Sequence, residues 1–162
     1  MIRYNVPKFD FGGAVMGRLV GIARRDKKRG EMQTLQEAEI TDETGVALDY
    51  RGKPGKRQVT VISADVWRQV CKELGKTVPW TVRRANLLVE GVELPKEIGG
   101  ELSIGEVRLQ VTGETDPCFR MDEQCAGLTT ALKPDWRGGV CCRVLRGGPV
   151  SVGDTVLYTG NR

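Results

Sequence analysis

Residues 102–111 have the sequence Leu-Ser-Ile-Gly-Glu-Val-Arg-Leu-Gln-Val. Apolar side chains alternate with polar ones on both sides of Gly105–Glu106, which is typical of two half-buried strands joined by a tight turn. Two further segments, Arg57–Ile62 and Ala85–Glu90, are rich in aliphatic residues and predict buried strands. These patterns favour a protein built mainly from β-strands.

The rest of the chain predicts more strands and little helix. Alternation recurs at Val140–Val144, and Val150–Tyr158 predicts a second hairpin. A helix can be capped by Ser63 and ended by Gly75, and its apolar face carries Trp67, Val70, Cys71 and Leu74. A short helix is also expected over Ala126–Leu132. Since strands do not alternate with many helices, the sequence predicts an all-β barrel-like fold with one or two short helices.

Length and composition set limits on the class of protein. The 162 residues, 40% of them hydrophobic, are enough for one core, and we expect a single domain over residues 1–162. The sequence has no apolar run of membrane-spanning length and no secretory pattern at its start. Five cysteines, two of them adjacent, suit a reducing compartment, so we expect a cytoplasmic protein that does not enter a membrane.

Charge and histidine content exclude several functions. The net charge of +4 is small, and the nine aromatic residues are not interleaved with basic ones, so nucleic-acid binding is not expected. The sequence contains no histidine. This excludes Ser-His-Asp triads, Cys-His dyads, histidine-ligated zinc and histidine-ligated haem.

The segment Thr112–Glu123 is too polar to be core and follows a predicted strand. Pro117 restricts the backbone immediately before Cys118, so the thiol is expected in a stiff loop at the end of a sheet. Arg120 favours a thiolate there, whereas the neighbouring acidic residues oppose it: Glu114, Asp116 and Asp122. Cys118 is therefore the candidate nucleophile or metal ligand.

Several motifs in the same order resemble those of MOSC domains, which are named for the C-terminal domain of molybdenum-cofactor sulfurase. The matching segments are Gly45–Gly52, Arg57–Ile62, Arg84–Gly91, Leu102–Gly105, Pro117–Cys118, Gly147–Gly148 and Val152–Asp154. The resemblance implies a barrel-like, mostly β fold with a signature cysteine, matched here by Cys118. In that family the cysteine is thought to carry sulfur or to ligate molybdenum, and a thiolate suits both roles.

The resemblance also implies a binding site for molybdopterin, which has a phosphate and a pterin ring rich in hydrogen-bonding groups. Arginines inside or beside the matching motifs are candidates for the phosphate: Arg51, Arg57, Arg84 and Arg120. Asn86 or Asp49 could bind the pterin edge. The alternatives are surface salt bridges for the arginines, a turn before a strand for Asn86, and stabilisation of a Gly-rich loop for Asp49.

This chain departs from the family pattern in two places. Ala85 stands where an acidic residue usually precedes the asparagine, and the Gly45 loop lacks a Gly-Asp-Arg-His run. A zinc site is disfavoured because no Cys-x-x-Cys pair occurs. Cys142 is expected in the core and Cys125 or Cys141 partly exposed, while Trp136 is expected near the same end of the barrel as the cysteine loop and is a candidate for lining a pocket.

Three functions remain open at this point. In the first, molybdenum stays on Cys118 and the protein reduces N-hydroxylated compounds with electrons from a separate redox partner. In the second, Cys118 is a sulfur carrier that accepts a persulfide from a cysteine desulfurase, and pyridoxal phosphate belongs to that partner. In the third, the domain binds or senses the molybdenum cofactor without catalysis.

Overall fold

The computed structural model describes residues 15–158, and the secondary structure within that range is mainly β. The strands are β1 (Val15–Arg24), β2 (Gln33–Leu35), β3 (Glu37–Thr41), β4 (Gly45–Val46), β5 (Val59–Ser63), β6 (Leu87–Glu90), β7 (Glu101–Ile104), β8 (Val107–Glu114), β9 (Val140–Arg146), β10 (Gly148–Ser151) and β11 (Thr155–Tyr158). The α-helices are α1 (Ala64–Leu74), α2 (Arg120–Gln124) and α3 (Leu128–Leu132). Single 3₁₀ turns cover Trp80–Arg83 and Pro134–Trp136.

Seven strands close into a barrel. In the order β11-β7-β8-β9-β5-β6-β1 each strand is hydrogen-bonded to the next, and β1 pairs back with β11. Strand β2 extends beside β1, and β10, β3 and β4 form a small separate sheet. The predicted all-β, barrel-like fold is confirmed, and α2 is the helix that the sequence did not predict.

Helix α1 has the caps that the sequence predicts. The Ser63 hydroxyl accepts a hydrogen bond from the Val66 N–H at 3.2 Å, and Gly75 ends the helix at a φ of 66°. The helix crosses from β5 to β6, which are the only parallel neighbours among the strand pairs of residues 15–158. None of the helices in this range is long and apolar enough to cross a membrane.

Two apolar clusters hold the fold together. The barrel interior contains the predicted inward residues of the β7–β8 hairpin, since Leu102, Ile104, Val107 and Leu109 are all fully buried. The second cluster joins α1 to α2 and α3 through Trp67, Val70, Met121, Cys125, Leu128 and Leu132. This second cluster anchors the chain that follows Cys118 against the outside of the barrel.

The second predicted hairpin, Val150–Tyr158, is wrong. A tight turn is present, with the Asp154 N–H donating to the Ser151 carbonyl at 3.0 Å, but β10 pairs with β3 and β11 pairs with β7 and β1. The main chain of Leu19 bonds to Gly153 and Asp154 at 2.7 and 2.8 Å and so separates the two strands. The local sequence pattern predicted the turn but not the strands with which β10 and β11 pair.

Candidate functional site

A wide cleft of about 920 Å³ opens between the loop after β4, the 3₁₀ turn before β6 and the segment after β8. All the residues that the sequence proposes for a site line this cleft: Cys118, Arg51, Arg57, Arg84, Arg120, Asn86 and Asp49. The fold therefore brings together side chains that are far apart in the sequence. Three further arginines, Arg25, Arg29 and Arg83, line the same cleft.

Cys118 lies in the loop between β8 and α2 with its side chain exposed. Its carbonyl oxygen accepts two hydrogen bonds, one from the Met121 N–H and one from the Thr129 hydroxyl, both at 2.9 Å. These bonds tie the main chain of Cys118 to α2 and α3, because Met121 and Leu128 anchor those helices in the second apolar cluster. A fixed main chain thus presents an accessible sulfur to the cleft.

The other cysteines differ from Cys118 in exposure. Cys142 is fully buried in the barrel, and burial raises the pKa of its thiol far above the ordinary value. Cys125 and Cys141 are also buried, so the expectation that one of them is partly exposed is wrong. Cys125 packs in the second apolar cluster, and the sulfur of Cys141 is 3.2 Å from the hydroxyl oxygen of the buried Thr115.

Asp49 organises the loop after β4. One carboxylate oxygen accepts the Arg25 N–H at 3.0 Å and the other accepts the Arg51 N–H at 3.3 Å. These contacts match the loop-stabilising alternative for Asp49. They also hold Arg25 and Arg51 at the same end of the cleft.

Positive charge accumulates at this end. Burial lowers the pKa of Arg25, and the neighbouring charges of Arg84 and Arg51 lower it further, while Asp49 opposes them. The pKa of Arg84 is likewise lowered by burial and then by Arg51. The guanidinium of Arg25 also lies 5.6 Å from the centre of the Tyr50 ring. An anion bound here would relieve the mutual repulsion of the three arginines.

Asn86 is buried and joins three strands of the chain. Its side-chain oxygen accepts from the N–H and the hydroxyl of Thr60 at 3.1 and 3.3 Å, and its amide nitrogen donates to the Ala23 carbonyl at 3.2 Å. Most of its hydrogen-bonding capacity is therefore used within the protein. These contacts match the structural alternative for Asn86 more closely than a binding role.

Sequence reasoning missed Arg83, which is only 6% exposed. Its Nε donates to the Gly138 carbonyl at 3.1 Å and its Nη2 to the Thr115 carbonyl at 2.7 Å. Burial lowers the pKa of Arg83 and so does the charge of Arg57, whereas Cys118, Cys141 and Asp116 raise it. No local pattern distinguishes Arg83 from the exposed Arg84, so only the tertiary contacts could reveal it.

A family model of the MOSC domain matches residues 28–157. The chain belongs to the MOSC domain family. This confirms the resemblance found in the motifs, and the family is associated with the molybdenum cofactor. No sequence among curated proteins matches the chain.

The MOSC fold of this chain is similar to three solved structures of low sequence identity. The YuaD protein from Bacillus subtilis is 16% identical with a TM-score of 0.79, over 91% of this chain and 98% of that one. YiiM from Escherichia coli is 16% identical with a TM-score of 0.65, over 90% of this chain and 71% of its own. YiiM from Geobacillus stearothermophilus is 14% identical with a TM-score of 0.63, over 90% and 75% respectively. At these identities the similarity shows the fold.

The groups that line the MOSC cleft fit a cofactor with a thiophilic metal and a phosphate. The cleft offers one accessible thiol, from Cys118, and seven arginine side chains. Residues 15–158 contain no cluster of three or more His, Cys, Asp or Glu side chains that could hold a metal ion. The donor set is thus a single soft ligand among anion-binding groups.

Trp136 does line a pocket of the MOSC domain, but not the cleft that contains Cys118. It lines a second cleft of about 540 Å³ together with residues of α1 and of the segment after β6. Its indole packs against the barrel core. The backbone of Asp135 and Trp136 is left-handed, with φ values of 51° and 56°, which changes the chain direction just before β9.

Proposed function

We propose that this MOSC domain binds the molybdenum cofactor in the arginine-lined cleft, with the Cys118 thiolate as the ligand that the protein gives to the metal. One observation carries the proposal: the exposed sulfur of Cys118 opens into the same cleft as seven arginines. A soft metal ligand and groups that bind phosphate are both required for such a cofactor. The family association of the MOSC domain supports the same assignment.

Different residues of the cleft would bind different parts of the cofactor. Arg51 and Arg84, which lie near each other and near the buried Arg25, would hold the phosphate, and Arg57 and Arg120 would neutralise charge nearer to the sulfur. Asp49 keeps acceptor capacity for a pterin edge, while Asn86 would mainly position the strands around it. When bound, the cofactor would supply two-electron redox chemistry, which we propose serves the reduction of N-hydroxylated compounds with electrons from a separate redox protein.

The test is the metal content of protein made in a molybdenum-replete host and purified anaerobically. We expect about one molybdenum and one pterin per chain, and loss of the metal in Cys118→Ser. The matched control is Cys71→Ser, because Cys71 is the other cysteine that is not fully buried and it lies on α1 outside the cleft. Wild-type protein without molybdenum or pterin would contradict the proposal.

If the metal and the pterin survive in Cys118→Ala, and no activity is found in either protein, the domain is instead a binding or sensing module without catalysis. Retention would mean that the arginines alone hold the cofactor through its phosphate. This outcome would keep the cleft as the site and remove Cys118 as the ligand.

Sulfur carriage is a second candidate, favoured by the accessibility of the loop. Phe119, next to Cys118, is 72% exposed, so a large partner can reach the thiol. The Cys118 thiolate would attack the outer sulfur of a donor persulfide, forming a new S–S bond while the donor's S–S bond breaks and its thiolate leaves. The donor would be a pyridoxal-phosphate-dependent cysteine desulfurase. Cyanide-labile sulfur on wild-type protein, absent from Cys118→Ser, would support this candidate, and its absence from both would contradict it.

Both candidates need a reduced thiol, and a cytoplasmic location is part of the proposal. All five cysteines are free in the fold described here. In an oxidising compartment an exposed thiol such as Cys118 would form mixed disulfides.

A further inference from the structure

We propose that Arg83 is a positioning residue for the sulfur of Cys118: it clamps the loop that carries the thiol and directs a guanidinium edge into the cleft beside it. This role rests on the proposed function in one respect only, namely that Cys118 is the working group of the site. The inference adds a residue outside the motifs of the sequence and a specific role for it.

The clamp consists of two hydrogen bonds to main-chain carbonyls. The Thr115 carbonyl lies three residues before Cys118, and the Gly138 carbonyl lies just before β9. Both acceptors bind the same planar guanidinium, so the loop and the start of β9 are held at a fixed separation. Gly138 fits closely here, since a Cβ at this position would lie 2.5 Å from the Thr115 oxygen and 3.1 Å from Nη2 of Arg83.

The remaining edge of the guanidinium faces the cleft. Nη1 of Arg83 has no hydrogen-bond partner among residues 15–158. Every fully buried side-chain nitrogen or oxygen in this range does have a partner, so Nη1 is not fully buried. Nη1 therefore keeps contact with open space, and Arg83 lines the cleft that contains Cys118. The small exposed part of this side chain is thus the part that a bound group could touch.

The charge of Arg83 has no carboxylate partner at ion-pair distance within the described part of the chain. The arginines that do form ion pairs are Arg18, Arg68, Arg108 and Arg137. A buried cation without a counterion is costly, and the two carbonyl contacts offset only part of that cost. An anionic group on the sulfur of Cys118 would supply the missing negative charge.

The experiment compares the alkylation of Cys118 by neutral iodoacetamide and by anionic iodoacetate at one pH and one ionic strength. Both reagents attack the same thiolate, so the thiolate fraction cancels in the ratio of their rate constants, and the ratio measures the local charge. Modification is assigned to Cys118 by peptide mass spectrometry with Cys118→Ser as the blank. N-acetylcysteine amide gives the ratio of a free thiol.

We expect the iodoacetate-to-iodoacetamide ratio of wild-type protein to exceed that of the free thiol. Arg83→Gln should lower it roughly three- to tenfold, because a unit charge close to the sulfur is lost. Arg83→Lys should keep the ratio within about twofold, since a charge next to the sulfur persists. Arg68→Gln, on the exposed face of α1 outside the cleft, is the matched control and should leave the ratio unchanged.

An unchanged ratio in folded Arg83→Gln would overturn the proposal and leave Arg83 a purely structural residue. If Arg83→Gln does not fold, the lysine variant decides, because a ratio equal to that of the free thiol in folded Arg83→Lys would overturn it as well. The assay contains no molybdenum and no pterin. Failure of this inference is therefore distinguishable from failure of cofactor binding.

Discussion

At the end of the cleft that carries Cys118, side chains bind main-chain carbonyls. Arg83 binds the carbonyls of Thr115 and Gly138, and the Thr129 hydroxyl binds the carbonyl of Cys118 itself. Around Asp49, which lines the same cleft, the arrangement is reversed, because the main-chain N–H groups of Arg25 and Arg51 donate to the Asp49 carboxylate. Near Cys118, side chains of an arginine and a threonine therefore fix the main chain of a loop. Near Asp49, a carboxylate fixes the main chain of two arginines.

The difference has a physical consequence for ligands. Around Cys118 the loop is held by satisfied hydrogen bonds, so the sulfur is preorganised before anything binds. Around Asp49 the arginines repel one another, and one carboxylate does not neutralise them. An anionic ligand therefore gains most of its electrostatic stabilisation from the arginines around Asp49 and its orientation from the loop around Cys118.

The largest effect is expected from Gly138→Ala, which breaks the clamp at the Cys118 end. The added Cβ would lie 2.5 Å from the Thr115 carbonyl oxygen, so the loop or β9 must move. We expect the free energy of unfolding to fall by about 1–3 kcal/mol in urea titrations, as for other overpacked or clashing sites. Alkylation of Cys118 should change as well.

Gly113→Ala is the matched control on β8. A Cβ at Gly113 meets no atom within 4 Å, so its unfolding free energy should stay within about 0.5 kcal/mol of wild type. Equal destabilisation by the two substitutions would mean that the separation of the Cys118 loop from β9 is not critical.

A smaller loss is expected from Thr129→Val, which keeps the shape of the side chain and removes the donor to the Cys118 carbonyl. The bond is 2.9 Å long and Thr129 is buried, so the loss should be about 1 kcal/mol in the same titrations. Thr130→Val, at the adjacent exposed position of α3, should be nearly neutral. Equal effects at the two positions would show that helix propensity, and not the bond to Cys118, determines the loss.

The sequence predicts those parts of the molecule that depend on local patterns. Alternation predicted the β7–β8 hairpin, and the residues Ser63 and Gly75 predicted both ends of α1. Strand β1 was not predicted, because Gly17 and Gly21 interrupt its apolar pattern. Those glycines are needed for close packing, since a Cβ at Gly17 would collide with the Glu90 carbonyl oxygen and one at Gly21 with the Trp80 ring.

The candidate site shows the same limit of prediction from local sequence patterns. Four of the five exposed arginines of the cleft came from family motifs, whereas Arg29 and the two buried ones, Arg25 and Arg83, did not. The carbonyls that bind Arg83 are 32 and 55 residues away in the sequence. Nothing local signals that an arginine will be buried, because its acceptors are set by the closure of the barrel.

Arg51→Gln probes the group of arginines around Asp49 and should have effects of opposite sign on stability and binding. Removing the charge relieves the repulsion felt by Arg25 and Arg84, so the free protein should become slightly more stable. Binding of a phosphate-bearing ligand should weaken roughly fivefold through loss of one charge-assisted contact. Calorimetric titration with inorganic phosphate, together with thermal unfolding, measures both. Arg146→Gln on β9, outside the cleft, should change neither.

The smallest effect is expected from Glu114→Gln, which tests the carboxylates beside the Cys118 loop through pH. Burial and then the nearby Asp116 raise the pKa of Glu114, while Arg83 opposes the shift. A raised pKa in the folded state means that ionisation costs stability, so the stability present at low pH is lost as pH rises from the unfolded value of the pKa through the folded one. Glu114→Gln should therefore gain stability relative to wild type across that window and keep the gain at neutral pH. A difference that is flat with pH in urea titrations between pH 3 and 7 would contradict this, because it would mean that the pKa of Glu114 is the same in the folded and unfolded states.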